Sequence, residues 1–130
     1  MSGPFIFIAT NRLKEGKLED ERERVPGLVE FIHDNEPRLL AFNEYANQEG
    51  TEVSVVQLHR DAESIEFHIK TVAEKAAHAY TETLEATTSI HVYPTPSEAV
   101  LQMPSQQAGA GVPLVVKRHH PSGLTRTPTD

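Results

Sequence analysis

Two spacings of apolar residues alternate along the first ninety or so positions of this chain. Phe5 to Arg12 (FIFIATNR) alternates and is rich in aromatic and β-branched residues, which predicts a strand. Phe5, Phe7, Ala9 and Asn11 fall on one face and Ile6, Ile8 and Thr10 on the other. Lys14 to Lys17 reads as a glycine turn. Leu18 to about His33 then shows helical spacing, with Leu18, Val25, Leu28, Val29 and Ile32 on one side. Pro26-Gly27 predicts a kink or split within it, because proline removes a backbone donor and crowds the preceding turn. Leu39 to Ala46 predicts a second strand, Asn47 to Gly50 a hairpin loop, and Thr51 to His59 a third strand antiparallel to the second. Asp61 is placed as the N-cap of a second helix, whose stripe runs Ile65, Ile69, Val72, Ala73, Ala76, Ala79 and Tyr80. Thr87 to Tyr93 predicts a fourth strand.

The order strand, helix, strand, strand, helix, strand is the split βαβ, ferredoxin-like arrangement of the α+β class. It implies a four-stranded antiparallel sheet with two helices on one face. Ile6 with Ile8, and Leu40 with Phe42, lie on strand faces opposite other apolar residues, so the second sheet face also needs a cover. A second copy of the sheet is the simplest one, which predicts a homodimer packed sheet to sheet. After Tyr93 six prolines punctuate a segment rich in Gly, Ser, Thr and Gln. Residues 1–93 are therefore expected to form the domain, and residues 94–130 a C-terminal extension. Within the extension, Ser97 to Met103 reads as a short helix and Leu114 to Lys117 as an edge strand on this subunit or its partner.

Composition narrows the chemistry. The 130 residues suit one domain that buries roughly two-thirds of its unfolded surface. The absence of cysteine excludes disulfides, thiolate metal sites and cysteine nucleophiles. A net charge of -7 argues against a nucleic-acid partner, which needs a basic face. No apolar run approaches the ~18 residues of a membrane span, and no secretory signal is visible, so a soluble, cytoplasmic protein is expected. Seven histidines invite a metal site, but no His-x-x-x-His pair falls on a helix, and no metal is expected. The acidic run Glu15 to Glu23 reads as a solvated helix face. There is no phosphate loop, dinucleotide fingerprint or nucleophile elbow.

Three stretches carry a family resemblance: Ala9 to Lys17 (ATNRLKEGK), Asn35 to Pro37 (NEP) and His68 to Thr71 (HIKT). Over residues 5–93 the chain resembles the antibiotic biosynthesis monooxygenases, a family of dimeric α+β barrels. Family members often continue Asn-Glu-Pro with glycine, where this chain has Arg38. They often carry Glu-x-Trp at the end of the third strand. Gln57 and His59 stand in those slots, with the nine-residue spacing to His68 kept. The resemblance implies a small apolar cavity between sheet and helices. Members acting on quinols oxidise an aromatic hydroxyl compound with molecular oxygen, using no metal or flavin. A related branch binds and degrades haem through a first-strand asparagine, a helix histidine and a tryptophan. Asn11 and His68 match two of those positions, and the tryptophan is missing.

His68 is the first candidate, as general base or substrate hydrogen-bond partner; otherwise it is a helix-border histidine satisfied by a neighbour. Asn11 is placed to polarise a substrate oxygen, or else to bond a turn backbone. His59 would serve as cavity wall or proton shuttle, or face solvent at the strand end. Asn43 and Tyr45 share one face of the second strand and are expected to line the same cavity, unless they are cross-strand packing pairs. Three functions follow: a cofactor-independent monooxygenase-like enzyme acting on a small aromatic or quinol compound, a haem-binding or haem-degrading protein, and a non-catalytic small-molecule-binding dimer.

Overall fold

The computed structural model describes residues 4–94 and 112–126. β1 (Phe5–Leu13) leads through a glycine turn into α1 (Leu18–Asn35). β2 (Leu39–Ala46) and β3 (Glu52–His59) form the hairpin, followed by α2 (Ala62–Thr71), α3 (Ala73–Glu82), β4 (Leu84–Tyr93) and β5 (Leu114–Val116). The sheet order is β2-β3-β1-β4-β5. The first four strands pair antiparallel, as expected for the ferredoxin-like arrangement. Among the described residues the sheet is nevertheless five-stranded and mixed, because β5 adds to the edge of β4 in parallel. The edge strand read at Leu114 thus lies on this chain's own sheet, where Leu114 and Val116 pack against the buried core. The short helix read at Ser97 to Met103 lies outside the described residues. Among the described residues no helix is long and apolar enough to cross a membrane.

Local chemistry explains the element ends. Gly16 (φ +74°) and Gly50 (φ +71°) supply the left-handed residues of the two turns. Asn47 Oδ1 accepts from the backbone amides of Thr51 (2.9 Å) and Glu52 (3.1 Å), which closes the hairpin. Asp61 caps α2 by accepting from Ser64 N at 3.0 Å and pairs with Arg38. Arg38 thereby ties the start of β2 to the start of α2, which is what this chain does with the position where glycine is common.

Two helices differ from expectation. α1 runs unbroken through Pro26, which lies on its exposed side, so the carbonyl left unbonded four residues back meets water. The second helix divides at Val72 into α2 and α3, without proline or glycine. The Thr71 hydroxyl donates back to the Phe67 carbonyl at 2.7 Å, a bond that competes with regular helix geometry. The division turns Val72 inward, where it is buried.

Register decides which strand residues meet the helices. Ala9 pairs with Val55 and Val55 with Glu44, so these share the helix-covered face with Phe5, Phe7, Asn11, Gln57, His59 and Phe42. Ile8, Val56 and Asn43 are likewise in register and turn to the other face with Ile6, Leu58 and Tyr45. Among the described residues the buried core forms two clusters. Phe5, Phe7, Ile65, Ile90 and Val92 make the first, and Leu13, Val53, Ala79 and Leu84 the second.

Replacing the α2 cap tests this account. Asp61→Ala removes the cap and the partner of Arg38, and is expected to lower unfolding stability by about 1–2 kcal/mol in urea titrations. A change below ~0.3 kcal/mol would show that neither bond matters to the fold.

Candidate functional site

A cavity of about 450 Å³ lies between the sheet and the three helices. Phe7, Ala9, Val55, Ile69, Val72 and Ala76 give it an apolar wall, and Asn11, Gln57, His68, Tyr80, Arg24 and Glu44 supply its polar points. Mostly apolar lining with a few convergent polar groups is the usual make-up of a small-molecule site.

His68 projects from α2 into this space and is buried. Its Nδ1 lies 2.9 Å from both carboxylate oxygens of Glu36, a residue just past α1 that is only 3% exposed. A carboxylate can only accept, so Nδ1 carries a proton, and in the neutral ring the lone pair lies on Nε2. No side chain among the described residues bonds Nε2, and no buried side-chain nitrogen or oxygen there is left unpartnered. Nε2 is therefore open to the cavity. A carboxylate behind one imidazole nitrogen and a free lone pair on the other is the arrangement of a general base.

Asn11 reaches the cavity from β1. Its Oδ1 accepts from the Thr87 hydroxyl at 2.6 Å and from the Tyr80 hydroxyl at 3.3 Å. The Tyr80 hydroxyl also reaches Thr87 Oγ1, so its single proton is shared between Thr87 and Asn11 while Thr87 donates to Asn11. Two hydroxyls on the amide oxygen fix the amide's orientation and leave its NH₂ as the group offered to the cavity.

His59 neither lines the cavity nor faces solvent. It is fully buried behind the wall, and its ring centroid is 5.8 Å from that of His68. Its Nε2 lies 2.8 Å from Gln57 Oε1 and its Nδ1 2.6 Å from Ser64 Oγ. The amide oxygen can only accept, so Nε2–H donates to it and Nδ1 accepts from Ser64. Burial first, and repulsion from His68 second, push the His59 pKa down to about 3. The ring is a neutral strut, and Gln57 carries its bond to the cavity wall.

Asn43 and Tyr45 also correct the sequence expectation. Both are exposed on the sheet face away from the cavity. Their neighbours Phe42 and Glu44 take the cavity side, since pairing with Val55 and Gln57 sets the parity of β2.

Glu44 brings a second cluster. It hydrogen-bonds Glu21, which is 1% exposed and so departs from the solvated acidic face expected for residues 15–23. Glu21 accepts from Arg24 Nε at 2.9 Å, Arg24 Nη2 at 2.7 Å and Thr83 Oγ1 at 2.6 Å. Burial pushes Glu21 up, but the bonds from Arg24, Glu44 and Thr83 outweigh it and hold the carboxyl below its ordinary range. Burial and the Glu21 charge push Glu44 up to about 9, so it stays protonated at neutral pH. Among the described residues no three His, Asp or Glu side chains converge as a metal site.

Sequence reasoning missed Glu36, Glu44 and Glu21. Glu36 stood in the quoted Asn-Glu-Pro stretch, and Glu21 falls at helical spacing on the stripe of Leu18, Val25, Leu28 and Ile32.

No family model matches the sequence, and no curated protein matches it. Solved structures do share its fold. MupZ from Pseudomonas fluorescens aligns over 97% of this chain and 91% of its own, with 18% identity and a TM-score of 0.70. A candidate antibiotic biosynthesis monooxygenase from Caulobacter crescentus aligns over 74% of this chain and 92% of its own, with 16% identity and a TM-score of 0.62. Another structure described as an antibiotic biosynthesis monooxygenase aligns over 72% and 99%, with 14% identity and a TM-score of 0.59. The α+β fold of this chain is the fold of those monooxygenase structures, as the sequence resemblance implied.

The Glu44 proton makes stability pH-dependent. Between about pH 4.5 and 9 the folded chain holds a proton that the unfolded chain releases, so stability falls as pH rises across that window. Glutamine reproduces the protonated form in both states. The groups facing Glu44 are Glu21 and Arg24 of α1, with His68 of α2 and Tyr80 of α3 on the same cavity. Glu44→Gln is expected to be more stable than wild type by about 2–3 kcal/mol at pH 7 in urea unfolding. The two curves should converge toward pH 4. Parallel curves from pH 4 to 8 would show that Glu44 titrates normally.

Proposed function

We propose that this chain is an oxidoreductase of the antibiotic biosynthesis monooxygenase type, acting on a small aromatic hydroxyl compound with molecular oxygen and no metal or flavin. The observation that carries this is the His68–Glu36 pair, which turns a free Nε2 toward an apolar cavity. His68 takes the phenolic proton, and Glu36 balances the imidazolium that forms. The Asn11 NH₂ donates to the phenolate oxygen. The electron-rich ring then reacts with oxygen at a carbon ortho or para to the hydroxyl. A phenol with hydrogen at that carbon plus O₂ yields the quinone plus water; the substrate supplies all four electrons that reduce O₂. The monooxygenase naming of structures with this fold supports the same reading.

The haem reading rests on a carboxylate-backed histidine, an arrangement that also suits a metal ligand. Its tryptophan position is held here by His59, which is sealed from the cavity. Haemin titration separates the two: a Soret shift abolished by His68→Ala would favour haem.

Oxygen uptake with a panel of quinols and anthrones tests the oxidation. His68→Ala is expected to lower the rate by roughly 10²–10⁴-fold and Asn11→Ala by roughly 10²-fold. Uptake no faster than the uncatalysed control would sink the enzymatic reading for that panel and leave a binding protein.

The working unit is proposed to be a homodimer in the cytoplasm. Ile6, Ile8, Val56 and Leu58 form a half-buried apolar patch on the uncovered sheet face, with Asn43 and Tyr45 beside it. Light scattering should give about twice the 14.4 kDa chain mass, and Ile8→Glu should halve it. A wild-type monomer at micromolar concentration would refute the dimer.

A further inference from the structure

The cavity wall carries an acceptor that the proposed oxidation does not use. Glu44 stands on β2 two residues beyond Phe42, whose ring lies 5.8 Å from that of His68. Two residues of strand span roughly 7 Å, so the Glu44 carboxyl sits about that far along β2 from the His68 end. Two carboxyl groups in contact away from water cannot both ionise. Glu21 is held as the ionised member by Arg24 and Thr83, so the shared proton belongs to Glu44 and points at Glu21. This fixes what Glu44 shows to the cavity. Its O–H is engaged, its carbonyl oxygen has no other side-chain partner among the described residues, and it is not a sealed, unpartnered atom. The Arg24 charge is taken up by Glu21, so the cluster as a whole is neutral. The Glu44 carbonyl on that wall accepts from an uncharged hydroxyl.

We infer that Glu44, oriented by Glu21, is a second recognition group of the cavity: it accepts a hydrogen bond from a ligand hydroxyl further along β2 than His68. The preferred ligand is then an aromatic diol with its hydroxyls at opposite ends of a fused two-ring frame. This rests on the reading that a first hydroxyl meets His68. Neither carboxyl was a sequence candidate, and a solvated acidic helix face would have no such use for Glu21.

Fluorescence titration with 2-naphthol and 2,6-dihydroxynaphthalene tests it. Wild type should bind the diol roughly five- to tenfold more tightly than the mono-ol. Glu44→Gln should keep that preference, because the amide retains a carbonyl toward the cavity and donates N–H to Glu21. Glu44→Leu should abolish it while leaving 2-naphthol binding in place. Equal affinity of the two probes for wild type, or a preference that survives Glu44→Leu, would overturn the role of Glu44. In either case the His68 reading is judged separately, by whether His68→Ala weakens 2-naphthol. Binding of neither probe would overturn both. The wild-type comparison needs no variant to fold.

Discussion

The bond between Glu36 and His68 is the constraint on which the site depends. Glu36 follows α1 and His68 is inside α2, so the pair joins two elements 32 positions apart over the mouth of the sheet. Both partners are nearly buried, and each is the other's means of being satisfied there. Burying an imidazole in an apolar wall is costly unless one nitrogen is bonded. Using Nδ1 for that purpose leaves Nε2 for chemistry.

Around that pair the molecule separates its buried polar groups into small closed sets. Gln57, His59 and Ser64 form one, with each ring nitrogen of His59 bonded. Asn11, Tyr80 and Thr87 form another. Glu21, Arg24, Thr83 and Glu44 form the third. Each set fixes one group on the cavity wall in a defined donor or acceptor state: the Gln57 amide, the Asn11 NH₂ and the neutral Glu44 carboxyl. Fully bonded networks of this kind orient their members without relying on water. The apolar clusters at either end then hold the sheet and helices apart across the space between.

The same logic relates the division of the second helix to the site. The bend keeps Val72, Ala76 and Tyr80 on the cavity, and brings the Tyr80 hydroxyl to Asn11. Arg38 works similarly at the other end, anchoring α2 at its cap and so the height of His68 above the sheet.

The sequence alone determined what depends on neighbours along the chain. Alternating and helical periods marked the elements, glycines the turns, and Asp61 the cap, because these follow from local backbone geometry. The edge strand at Leu114 also followed from pattern, and so did the place of His68 at the border of the apolar stripe. Tertiary structure decided what depends on pairing. Asn43 and Tyr45 alternate with Phe42 and Glu44, but only the register of β2 on β3 says which pair meets the helices. His59 looked like a terminal residue, yet α2 closes over it and burial removes its charge. Glu36 and Glu44 acquire their roles from partners on other elements, and no spacing along the chain encodes those contacts. Glu21 lies between: its place on the apolar stripe was readable, whereas the carboxyl that shares its proton was not.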